Sequence, residues 1–70
     1  MKNNYITMWT LSSILERHNQ TLYNWINKNP INPNFGDKNH FKFYSIPKLK
    51  DWLIQINQPV SKLIDYENHL

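Results

Sequence analysis

The chain has 70 residues, enough for one domain at the small end of what a single hydrophobic core supports, which argues against a large buried catalytic cleft and for a binding module. Eight Lys and Arg against five Asp and Glu give a net charge of +3 at pH 7, a modest excess that suits an anionic partner. Cysteine is absent, which excludes disulfides and thiolate metal sites and makes a reducing cytoplasm the expected compartment; no apolar run approaches the roughly 20 residues that span a bilayer, so no membrane role is expected.

In chain order, the opening MKNN is polar and expected to fray, whereas YITMW has enough aromatic and β-branched character to lie against a core. A first helix is expected with Thr10 as N-cap and Trp9 packed on Ile14 as a hydrophobic staple. Leu11, Ile14, Leu15 and His18 recur at the spacing of one buried face. Asn19 is the expected N-cap of a second helix, in which Leu22, Trp25 and Ile26 form the apolar stripe. At 100° per residue, Gln20, Asn24 and Asn27 then point away from that stripe, with Tyr23 on one flank and Thr21 and Lys28 on the other.

Pro30 and Pro33 in NPINPN end this helix. The segment NFGDKNHFKFYS reads as a basic-tipped β-hairpin: a strand around Phe35, a turn holding the only glycine, Gly36, and a return strand where Phe41 and Phe43 alternate with Lys42. Ser45 caps a third helix with Pro47 in its first turn, and Leu49, Trp52, Leu53 and Ile56 give the strongest amphipathic pattern of the chain. Gln58 and Pro59 stop it, and VSKLIDYENHL offers a short fourth helix with Val60, Leu63 and Ile64 on one side. Internal repeats and linkers are absent, and the one compositional bias is eleven asparagines.

Helix, tight turn, helix, proline loop, hairpin and helix is the order of a small winged helix-turn-helix domain. LSSILERHNQTLYNWI resembles the paired helices of the MerR-like and excisionase-type winged-helix families, with Thr21, Leu22 and Trp25 in the Thr-apolar-x-x-Trp places of the second helix. NPINPNFGDKNHFKFYSIPKLKDWL is similar to the proline-led wing and the following helix that ends in Trp-Leu, so the resemblance covers about residues 5–57, with 58–70 as a C-terminal extension of one domain. The chain departs from the family at the turn, where Glu16, Arg17 and His18 precede Asn19; the first helix is read as running slightly longer, with His18 turned inward.

The resemblance implies a mainly α fold with a small hairpin that binds double-stranded DNA, helix 20–28 in the major groove and wing 35–44 on the backbone or in the minor groove. The residue chemistry agrees with it. Asn and Gln make paired donor and acceptor contacts with adenine, which makes Gln20, Asn24 and Asn27 candidate readers, while Thr21 reaches a phosphate or a thymine methyl. Tyr23 and Lys28 would flank the groove, and Lys38, His40 and Lys42 would place donors and charge along phosphates. The plainer alternatives are a solvated face in an asparagine-rich chain and edge lysines that guard a hairpin against aggregation.

Trp25, Trp52, Phe41 and Phe43 are assigned to packing, because each falls on a periodic inner face. The three histidines lack ligand spacing, the acidic residues are scattered, and no Gly-rich loop is present, so no metal, cofactor or enzymatic activity is expected. The competing class is a protein-interaction module, for which Ile54 on the outer side of the third helix and the apolar C-terminal segment are the evidence. Among DNA-binding roles known for similar folds, excisionases of prophages or mobile elements, transcription regulators and the DNA-binding head of a terminase small subunit stay open. The small size favours an accessory or regulatory factor, working through self-association on DNA or a recombinase partner.

Overall fold

The computed structural model describes residues 4–70. Of the polar opening segment, Met1–Asn3 lie outside the described residues, and Asn4 is tied down, its carbonyl accepting the amide of Ile46 at 2.9 Å. Tyr5–Ile6 form a short strand, β1, that leads into α1, Met8–Leu15.

The cap of α1 is Thr7, three residues before the expected Thr10: its Oγ1 accepts the Thr10 amide at 3.3 Å. With that earlier start Met8, Leu11, Ser12 and Leu15 are the buried face, and His18 is not part of it. Trp9 is consequently carried off the stripe and stands exposed instead of stapling Ile14. The helix also ends earlier than expected. Glu16 adopts a left-handed conformation (φ 56°, ψ 45°), the amide of Glu16 bonds Ser13 O and that of Arg17 bonds Ser12 O, so a Schellman turn closes α1 one turn before His18.

His18, exposed and extended, is the residue that precedes α2, Asn19–Lys28; Asn19 is therefore its first helical residue and not its cap. The Asn19 side chain serves the corner differently. Buried Ser12 Oγ lies 2.7 Å from Trp9 O and 2.6 Å from Asn19 Oδ1, and its shared proton locks the start of α2 onto α1. Leu22 is fully buried, with Trp25 and Ile26 half-buried against the same core. At the far end of α2, Trp52 Nε1 donates to Asn29 O at 2.8 Å, and the Trp25 and Trp52 rings sit 6.3 Å apart.

The hairpin comprises β2, Phe35–Gly36, and β3, Lys42–Ser45. It pairs antiparallel with Phe35 opposite Phe43, and β1 adds to the other side of β3 with Ile6 opposite Tyr44, giving a three-stranded sheet in the order β1-β3-β2. Ile6 and Tyr44 face the core, while the alternate residues Tyr5, Phe35 and Phe43 form an aromatic cluster on the opposite face. Phe35 stacks on Phe43 at 5.0 Å and meets Tyr5 edge-on at 5.1 Å. Phe43 is thus half-buried outside the core, and Phe41 is exposed; both had been assigned to it.

Ser45 caps α3, Ile46–Gln55, its Oγ accepting the Lys48 amide at 3.3 Å, with Pro47 in the first turn. Ile46, Leu49, Trp52 and Leu53 are buried. Asn57, left-handed at φ 61°, ends the helix with a second Schellman turn in which Gln58 N bonds Leu53 O. The fourth helix, α4, spans Ser61–Asn68 and packs on both α1 and α3, with Leu63 fully buried; the core thereby extends beyond residues 5–57. Lys50 pairs with Glu67 at 2.6 Å and Lys62 with Glu16, fastening α4 to α3 and to the end of α1. The result is a small α/β domain of four helices and one antiparallel sheet, with a radius of gyration of 11.4 Å.

Candidate nucleic-acid interface

On α2, Gln20, Tyr23, Asn24, Asn27 and Lys28 are exposed, while Thr21 is half-buried. They are exposed because Leu22 fixes the helix rotation: with its side chain fully buried, the amide residues fall on the far side. Gln20 Nε2 donates to Asn24 Oδ1 at 3.1 Å. That bond ties the two amides together and leaves an acceptor, Gln20 Oε1, and a donor, Asn24 Nδ2, outside it on an exposed pair.

In the hairpin, Asp37 builds the turn. Its Oδ1 accepts the amides of Asn39 at 2.9 Å and Phe41 at 3.0 Å, while its own amide bonds Phe41 O at 2.9 Å. Lys38, Asn39 and His40 therefore form an ordered tip, with His40 left-handed at φ 67°. Gly36 suits its place by its small size and not by its backbone angle: a Cβ there would sit 3.2 Å from Phe41 O, a tight contact that the hairpin would have to ease.

Between α2 and the hairpin runs an open groove of about 360 Å³, lined by Tyr23 and Ile26 from α2, Trp9 from α1, and His40, Phe41 and Lys42 from the hairpin. The structure thus brings Tyr23, His40 and Lys42 to one site. Gln20 and Asn24 stand together on α2, whereas Thr21, Asn27, Lys28 and Lys38 do not line the groove. Tyr44 closes its floor; burial, with the neighbouring Tyr23 adding to it, pushes the Tyr44 hydroxyl above its ordinary pKa and keeps it neutral. The sequence reading missed Trp9 and Phe41, taking one for a staple and the other for core. The available signal was Thr7, as competent a cap as Thr10, and Asp37, a turn-former whose reach fixes Phe41.

The charge is unevenly distributed. Residues 19–45 carry three lysines and one acid, whereas residues 46–70 carry three lysines and three acids. Both ion pairs among the described residues, Lys50 with Glu67 and Lys62 with Glu16, involve α4. Lys28, Lys38 and Lys42 have no acidic partner among the described residues, and the one acid of their segment, Asp37, is engaged in the turn. Also among the described residues, no three His, Cys, Asp or Glu side chains gather as a metal site, and no helix is long and apolar enough to cross a membrane. Comparison with protein-family models, with curated proteins and with solved structures finds no match to this chain.

Proposed function

We propose that this chain is a winged helix-turn-helix domain of the MerR-like and excisionase type that binds double-stranded DNA, with α2 in the major groove and the hairpin as the wing on the backbone or in the minor groove. The supporting observation is an amide-faced helix bordered by lysines that pair with no acid among the described residues. An uncompensated cation gains most from a phosphate, because binding releases the counterion condensed there. In this reading the role is that of an excisionase or transcription regulator of a prophage or mobile element. Fluorescence anisotropy with a labelled duplex tests the reading. With about three to five phosphates engaged, log affinity should fall against log salt with a slope of roughly −3 to −5. No binding, or binding indifferent to salt, overturns it.

A second reading rests on Ile54, which is 63% exposed on α3 and is not covered by α4. An apolar side chain left out of so small a core fits a contact with another copy or a recombinase. Because nothing of the core is lost, Ile54→Lys is expected to keep the melting temperature and single-site affinity while abolishing cooperative filling of repeated sites. Unchanged cooperativity in a titration of a multi-site duplex removes this reading.

A further inference from the structure

Three large aromatic side chains stand around the groove between α2 and the hairpin: Trp9 at 63% exposure, Phe41 at 49% and Tyr23 at 45%. Singly, exposed aromatics need no explanation, but three on one depression form an apolar patch. The fold does not use them, since none is among the side chains packed against the core. It nevertheless fixes two of them. The Thr7 cap sets Trp9 in the first turn of α1, off the buried stripe, and Asp37 holds Phe41 through both its backbone groups. Beside these apolar walls stand Lys42, which has no acidic partner among the described residues, and His40.

Apolar walls with a cation at the rim match a ligand that has an apolar face and an anionic group a few bonds apart. In duplex DNA that unit is the deoxyribose with its phosphate, and in the docking proposed above a strand passing from α2 in the major groove to the wing beside it runs over this groove. We propose that the groove seats one sugar–phosphate unit, with the deoxyribose against Trp9 and Phe41 and the phosphate at Lys42. This rests on the DNA-binding reading and adds to it a non-ionic contribution to affinity, separable by experiment from the phosphate contribution.

The fluorescence of the three tryptophans gives the test, because Trp52 is buried and Trp25 half-buried, leaving Trp9 as the tryptophan most open to acrylamide. With the whole protein and a mixed-sequence duplex, binding should remove most acrylamide quenching, and that protection should vanish in Trp9→Phe. Trp9→Ala and Phe41→Ala should each weaken binding roughly tenfold, the effect of exposing part of a large apolar side chain, with the salt slope unchanged. Lys42→Ala should instead flatten the slope by about one. Both aromatics are exposed, so an unchanged melting curve for each variant separates lost contact from lost fold. Duplex bound with Trp9 as quenchable as in the free protein, or bound equally well by Trp9→Ala, overturns the sugar–phosphate seat and leaves the DNA-binding reading standing. A wild-type protein that binds no duplex overturns both.

Discussion

Replacing Leu63 with Ala is expected to lower the thermal midpoint by at least about 10 °C, the largest stability loss of any single change in the C-terminal segment. Leu63 is fully buried where α4 packs on α1 and α3. Deleting such a side chain costs about 2–5 kcal/mol in lost transfer energy and residual cavity. In a domain this small each kcal/mol is worth roughly 4–8 °C, and the total stability is of the order of 5–15 kcal/mol at most. Ile64 is the internal comparison: on the same helix and 39% exposed, its replacement by Ala should shift the midpoint far less. Circular dichroism melts of the two variants decide the matter, and equal melting would mean that α4 is not part of the cooperative unit. The Lys62–Glu16 pair fastens the same helix. The hydrogen bond from Lys62 and then its charge hold the Glu16 carboxyl below its usual range, against a small opposing effect of burial. A depressed carboxylate stabilises above its unfolded pKa and loses that contribution as the pH falls through the folded value, so this latch weakens only in acid. Its exposure makes the contribution minor beside that of Leu63.

What could be read from the sequence divides along physical lines. The second and third helices were legible because Leu22 and the run Leu49, Trp52, Leu53 repeat at helical spacing, and Ser45 with Pro47 marks a start that few other structures accommodate. The register of α1 was not. Thr7 and Thr10 are both good caps, and with apolar residues at 8, 9, 11, 14 and 15 either choice gives an amphipathic stripe; packing of Met8 decides between them. The end of α1 was hidden for a related reason: the left-handed residue that closes it is Glu16, and no glycine announces the turn. Strand β1 is two residues long, too short to show alternation, and exists through its pairing with β3. Aromatics that alternate along β3 look like core from the sequence, yet only Tyr44 points there, because the domain has one helical layer and leaves the other sheet face open. The groove combines residues 8 and 9, 23 and 26, 39–42 and 44, and no local pattern records that meeting.

Replacing one exposed residue of α2 and one of the hairpin gives the sharpest expected contrast in binding. Asn24→Ala should cost about 1–3 kcal/mol on a preferred duplex and little on random DNA, because a paired donor and acceptor rewards one base edge and leaves a mismatch elsewhere. The bond from Gln20 Nε2 to Asn24 Oδ1 sharpens the expectation: losing Asn24 also frees Gln20, so Gln20→Ala in the Asn24→Ala background should add less than it does alone. Lys42→Ala should weaken binding to both duplexes alike, since a phosphate is the same beside any base. Asn24 and Lys42 are exposed, so neither change removes core packing and both variants should melt as the parent does. The measurement is a set of anisotropy titrations of each variant against a selected and a scrambled duplex at one fixed salt concentration. If Lys42→Ala proves the selective loss and Asn24→Ala the uniform one, the hairpin reads the sequence and α2 merely anchors it, the reverse of the roles assigned here. If both changes weaken both duplexes equally, the domain binds by charge and shape alone, and neither α2 nor the hairpin reads the sequence.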